Sequence, residues 1–183
     1  MTAREKRGET MRLQGKTIGY FLAEGVEDLE FWVPLMRLQE EGARVIVIGL
    51  NTQTVRGKHG LEMTPDISID EAPGANELDG VVIPGGWAPD KLRRNQRLLQ
   101  LVRDMDAQHK IIAVICHGGW VPISAGILRG RKAVGSTGIK DDITNAGGIW
   151  VNEPAFREGN MVWGRVVEDI PHFCRELVNA LAE

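Results

Sequence analysis

Three short runs constrain this chain more than anything else in it: Arg44 to Leu50 (RVIVIGL), Gly80 to Pro84 (GVVIP) and Lys110 to Cys116 (KIIAVIC). Each has strand length, is rich in β-branched residues, and is apolar at successive positions. A strand that is apolar on both sides must be covered on both faces, as in the parallel sheet of an α/β protein. The remaining segments fit that reading. Thr17 to Ala23 reads as a first strand, and Leu29 to Glu41 as a helix closed by Gly42, with Pro34 accommodated near its first turn. Residues 52 to 70 read as a hairpin excursion around Gly57 and Gly60, and Asp90 to Gln108 as one helix. A helix follows Cys116, then a strand near Lys132 to Gly135, a helix over Lys140 to Ala146, and strands near Ile149 and Met161. The last helix carries Ile170, Phe173, Cys174, Leu177, Val178 and Leu181 on one face. Strand–helix alternation of this kind predicts a mostly parallel sheet with helices on both faces. Ligands bind such sheets at the carboxyl ends of the strands, where Cys116 and the Pro84-Gly85-Gly86 turn both lie.

The 183 residues suit one domain, taken as residues 16–183, with residues 1–15 as a frayed polar extension. A net charge of −3 with no basic run gives no reason to expect nucleic acid or an anionic membrane as partner. No apolar stretch approaches the roughly 20 residues that span a bilayer, and Met1 to Gln14 lack the apolar segment of a signal peptide. The expected compartment is the cytoplasm, where the two cysteines stay reduced. Two cysteines do not make a structural zinc site, so neither metal nor cofactor is implied.

Cys116 ends a fully apolar strand and is followed at once by His117, Gly118 and Gly119. That is the layout of a nucleophile elbow, where a sharp turn lifts one side chain above the sheet and glycine lets backbone and substrate approach closely. Amides at the start of the next helix would favour thiolate over thiol, and could hold an oxyanion once sulfur attacks a carbonyl. The plainer alternative is a buried structural cysteine. Cys174, on the apolar face of the last helix, reads as core. His59, in a hairpin tip, and His172 have no sequence partner for metal or base work, and His109 precedes a strand in a polar turn.

The segments AVICHGG, VIPGGWAPD, GVEDLEFWVP, GKHG, ISAGILRGRK and GIKDDITNAG resemble the ThiJ/PfpI superfamily, and in particular its PfpI branch of intracellular-protease-like proteins. The resemblance runs from about Lys16 to the C-terminus. It implies a flavodoxin-like three-layer α/β sandwich and a reactive cysteine at Cys116. It also implies an acid beside the sulfur, which falls on Glu27 of the VEDLE segment. Read from the residues alone, Glu27 is one of four acids at a helix start (with Glu24, Asp28 and Glu30) that would complement the helix dipole. A carboxyl group beside a thiolate should have a raised pKa and can shuttle protons.

The branch also implies that His117 joins Cys116 in a triad whose acid comes from a neighbouring subunit, at the position of Asp90. A homo-oligomer with its active site near the subunit interface is thereby expected. Neighbouring side chains at a turn usually diverge, so adjacency alone does not establish a sulfur–imidazole contact. Asp90 could equally be a helix N-cap. The oxyanion hole would use the amides of Gly86, His117 and Gly118. Trp87 and Trp120 flank the two motifs and would give a narrow aromatic mouth, with core packing an equal alternative for Trp120.

The resemblance implies a cysteine-dependent hydrolase, either an intracellular peptidase or an enzyme of glyoxalase or deglycase type acting on small carbonyl compounds or glycated adducts. A different class is a redox or stress-response protein whose Cys116 is oxidised to sulfinate. A glutamine amidotransferase would need a histidine followed two residues later by glutamate, and His172 is followed by Phe173 and Cys174.

Overall fold

The computed structural model describes residues 11–183. In chain order the elements are β1 (Thr17–Leu22), α1 (Asp28–Glu40), β2 (Arg44–Gly49), β3 (Val55–Arg56), β4 (Glu62–Met63), β5 (Ile67–Ser68) and β6 (Gly80–Ile83). Then come α2 (Ala88–Leu92), α3 (Gln96–Ala107), β7 (Ile111–Ile115), α4 (Trp120–Ala125), β8 (Lys132–Ala133) and α5 (Lys140–Asn145). The chain closes with β9 (Ile149–Trp150), β10 (Ala155–Glu158), β11 (Met161–Gly164) and α6 (Ile170–Leu181).

Seven strands form one sheet in the order β10-β11-β7-β6-β1-β2-β5. Only the β10–β11 pair is antiparallel. All five residues of β7 and all four of β6 are buried, as a centre covered on both faces requires. The helical layers pair α1 with α6 and α3 with α4, and α3 packs on β6 and β7. The mostly parallel sheet flanked by helices is the flavodoxin-like arrangement expected.

Three local readings change. The helix foreseen over Asp90 to Gln108 is two, because Asn95 turns the chain and its side chain accepts the Leu98 N–H at 3.0 Å, capping α3. Pro34 lies in the second turn of α1, well inside the helix. Of the extension foreseen over residues 1–15, residues 1–10 lie outside the described part, and residues 11–15 pack onto the domain. Leu13 is fully buried and its N–H donates to the Glu41 carbonyl at 2.8 Å. No helix among the described residues is long and apolar enough to cross a membrane.

Candidate active site

The site is built by three loops laced together at the carboxyl ends of β1, β6 and β7. The loop after β1 and the turn after β6 form an antiparallel bridge, Val26 with Gly86. Trp87 N–H donates to the Gly25 carbonyl at 2.7 Å, and Glu27 N–H to the Gly85 carbonyl at 3.2 Å. The β3–β4 hairpin joins them through Lys58 N–H to Val26 O, 2.7 Å. Gly86 takes φ +75°, and a Cβ there would come within 2.4 Å of the Glu27 nitrogen, so the bridge needs glycine. These loops surround an open cavity of about 880 Å³ whose walls include Cys116, His117, Glu27, Glu30, Lys58, His59, Trp87 and Trp120.

Cys116 adopts φ +59°, one of two non-glycine residues with positive φ among those described. A non-glycine side chain in that region costs energy that the surrounding packing must offset, and such outliers gather at functional sites. The turn sends the backbone into a 3-10 helix over Cys116–Gly119 and leaves the cysteine 9% exposed, facing the cavity. It also makes adjacent side chains converge: His117 Nδ1 lies 3.3 Å from Cys116 Sγ. The amides of His117 and Gly86 both serve the sulfur. Gly118 packs instead against the Ile83 carbonyl, where a Cβ would sit at 2.4 Å.

The carboxyl group beside the sulfur belongs to Glu30, not to Glu27. Glu27 is the N-cap of α1: its Oε2 accepts the Glu30 N–H at 2.9 Å, and its Oε1 lies 3.3 Å from His59 Nε2. One turn on, the Glu30 side chain points under the loops. Its Oε2 accepts the Gly85 N–H at 2.8 Å, and the carboxyl group engages the Cys116 thiol. Oε1 has no other partner. Gly85 is wedged between them, since a Cβ would come within 2.6 Å of Glu30 Oε2 and 2.8 Å of Cys116 Cβ. Asp28 does a third job: its two oxygens accept the N–H groups of His59 (2.8 Å) and Leu61 (2.9 Å), pinning the hairpin tip to the helix.

Pro34 helps hold Glu30. Having no N–H, it cannot bond the carbonyl of residue 30 four positions earlier. That buried carbonyl instead accepts the Tyr20 hydroxyl from β1 at 2.9 Å. The ring of Tyr20 is fully buried edge-on to Phe31, with centroids 5.2 Å apart.

Electrostatics follow from burial. Loss of water raises the Glu30 carboxyl from 4.5 to about 7, against the lowering effect of the Gly85 amide. Burial also pushes the Cys116 thiol up; the Glu30 charge adds to this, and the His117 and Gly86 amides oppose it. The expectation of a lowered thiol pKa is therefore reversed, because desolvation of the strand end outweighs two amides. Burial and the nearby Lys58 charge lower His117, which is held neutral.

The other expected residues are spread. Asp90 lies outside the cavity in the first turn of α2, its carboxylate engaged by Arg94, and the residue in the N-cap position is Trp87. Trp87 is 60% exposed with its ring laid over Gly25, so it rims the mouth without narrowing it. Trp120 is half-buried in the wall, its ring edge-on to His117. His59 and Lys58, given no role from sequence, both reach the cavity. The GKHG segment that holds them was the available signal.

A family model described as DJ-1/PfpI matches residues 16–180. "Deglycase PfpI" of Pyrococcus furiosus is 38% identical over 162 residues, covering 88% of this chain and 97% of that protein. "Protein/nucleic acid deglycase 2" of Escherichia coli is 36% identical over 169 residues, covering 91% and 98%. Among solved structures, a two-domain protein of Anabaena variabilis with a DJ-1/ThiJ/PfpI-like and a ferritin-like domain superimposes with TM-score 0.88 at 36% identity. The match covers 91% of this chain and 48% of that one. The chain belongs to the DJ-1/PfpI family.

Proposed function

We propose that this protein is a cysteine-dependent deglycase that acts on 2-oxoaldehydes and on their early adducts with amines, with Cys116 as nucleophile. The observation that carries the reading is the convergence on one sulfur of a buried carboxyl group poised near neutrality, an imidazole nitrogen at 3.3 Å and two backbone amides. A carboxylate titrating near 7 is matched to take a proton from a reluctant thiol at neutral pH. The deglycase names of two relatives support the same reaction class.

Glu30 takes the thiol proton as sulfur bonds to the aldehyde carbon, and the amides of Gly86 and His117 hold the oxygen as it gains charge. That oxygen then receives the proton from Glu30, giving a thiohemiacetal. On an amine adduct, sulfur displaces the amine, which leaves with a proton, and the same intermediate results. Neutral His117 removes the hydrogen on that carbon as a proton and returns it to the neighbouring carbonyl carbon, whose oxygen takes up the proton that the first carbon's hydroxyl gives up as it becomes a carbonyl. The product is a thioester of a 2-hydroxy acid. Water hydrolyses it, releasing the acid and the free thiol, with no net oxidation.

A cavity of about 880 Å³ is far larger than a three-carbon aldehyde. Its open mouth has room for the side chain or base that carries an adduct, which favours adducts over the free aldehyde. Exposed Leu29, Leu61 and Trp87 at that mouth offer an apolar rim for the rest of a larger substrate. Asp90 cannot reach the cavity of its own chain, so a role for it belongs to a homo-oligomeric form of this enzyme.

The test is turnover of methylglyoxal and of methylglyoxal-treated N-acetyl-arginine, following lactate and freed amine. Wild type is expected to turn over both, and Cys116→Ala to lose at least about a thousandfold. Undiminished turnover by Cys116→Ala, or peptide hydrolysis with no carbonyl chemistry, would overturn the reading.

A further inference from the structure

His117 has its Nδ1 on the sulfur, but that contact depends on which rotamer the ring adopts, and the turn at Cys116 does not by itself fix it. The two sides of the ring are bounded differently. On one side lies the turn at Gly138, where a Cβ would sit 3.4 Å from His117 Nε2 and where glycine leaves no side chain to hold the ring. On the other side the Trp120 indole meets the imidazole edge-on, centroids 5.2 Å apart at 67°. Trp120 opens α4, three residues after His117, the spacing at which side chains on a helical turn stack over one another.

The indole is itself held from two directions. Its Nε1 donates to Asp142 Oδ2 of α5 at 2.8 Å. The Arg93 guanidinium, at the end of α2, lies over the ring face at 5.5 Å. Arg93 is fixed in turn by donation from its Nε to Ser124 Oγ of α4 at 2.8 Å. Arg93 and Asp142 thus sit on separate segments, and both act on the imidazole only through the indole. A half-exposed tryptophan with no such ties would sample several rotamers and would leave the imidazole free to turn to water.

We infer that Trp120, clamped by Arg93 and Asp142, is the positioning residue that holds His117 Nδ1 on the Cys116 sulfur and keeps water from the imidazole. The inference deepens the proposed function by naming what orients its proton shuttle, and it rests on that reading for the meaning of the contact. The other charged and titratable groups lining the same cavity are Cys116, Glu27, Asp28, Glu30, Lys58, His59 and Glu168. Of these, Lys58 is close enough to bias His117, and it does so in the same sense as burial.

The test reads His117 itself, so it does not depend on the identity of the substrate. Its titration midpoint is measured by NMR in wild type, Trp120→Ala, Trp120→Phe and Asp142→Ala, beside kcat and KM for methylglyoxal. Trp120→Ala should raise the midpoint toward the ordinary histidine value, as water reaches the ring, and lower kcat roughly tenfold with KM little changed. Trp120→Phe keeps the ring edge but loses the N–H, and Asp142→Ala loses the acceptor. These two should fall together, between wild type and Trp120→Ala. A midpoint that stays at the wild-type value in Trp120→Ala and Asp142→Ala would overturn the inference, as would Trp120→Phe behaving like Trp120→Ala. If Trp120→Ala does not fold, Asp142→Ala and Arg93→Ala decide, both being substitutions at solvent-accessible positions. Loss of carbonyl turnover in wild type with the midpoints ordered as stated would sink the proposed function and leave this inference standing.

Discussion

Two turns meet at the sulfur, and they are specified in opposite ways. The turn at Cys116–Gly119 is local: an apolar strand ends, the cysteine takes φ +59°, and the backbone runs straight into a 3-10 helix. The first turn of α1 is the reverse. Glu27, Asp28 and Glu30 stand within four residues and are alike in charge, yet one caps the helix, one pins a hairpin, and one is buried at the nucleophile. Local backbone chemistry can specify an elbow. Only the direction in which each side chain leaves the helix distinguishes the three acids.

The sharpest way to break that comparison is to neutralise the acids one at a time. Glu30→Gln removes the base and is expected to lower kcat/KM by two to three orders of magnitude, whereas Glu27→Gln, whose amide oxygen can still cap the helix, should cost less than tenfold. In wild type the rate should rise with pH through about 7 as Glu30 loses its proton, and the Glu30→Gln profile should lack that limb. Equal losses in the two variants would return Glu27 to the role that sequence reading assigned it.

A second measurement uses stability instead of rate. The folded chain holds the Glu30 proton that the unfolded chain releases above about 4.5, since the folded value lies near 7. The stability from this group is therefore full below about 4.5 and is lost as pH rises through 7, by on the order of 3 kcal/mol. Urea unfolding at intervals from pH 4.5 to 8 should show that fall in wild type. Glu30→Gln should lack this component and be the more stable protein at pH 8. A wild-type curve indistinguishable in slope from that of Glu30→Gln would mean the carboxyl is not buried as described.

Much of the rest was readable from particular residues. RVIVIGL, GVVIP and KIIAVIC declare a parallel sheet because they are apolar on both sides, and CHGG declares an elbow because glycine follows the nucleophile. The direction of the thiol pKa was not readable, because it depends on how completely the strand end is desolvated. Nor was the hairpin: His59 lies 32 residues from Glu27, and nothing short of the fold brings them to 3.3 Å. Trp87 and Trp120 both line the cavity, but only the packing separates a ring lying on Gly25 from one held against His117.

The smallest effect concerns how the α1 turn is held at all. Pro34 leaves the Glu30 carbonyl without its helical donor, and the buried Tyr20 hydroxyl replaces it at 2.9 Å. Tyr20→Phe keeps the ring packed on Phe31 and leaves that carbonyl unsatisfied, which should cost about 1–2 kcal/mol in urea unfolding. Pro34→Ala restores a backbone N–H at the position where the helix would supply one. In that background Tyr20→Phe should cost well under about 1 kcal/mol, a coupling that a double-mutant cycle reads directly. If the hydroxyl only fills space, the two substitutions will be additive, and the proline will have no part in setting where Glu30 lies. A coupled pair would mean instead that β1 reaches across to complete a turn that α1 cannot complete for itself, and that the acid at the nucleophile is positioned by the sheet as much as by its own helix.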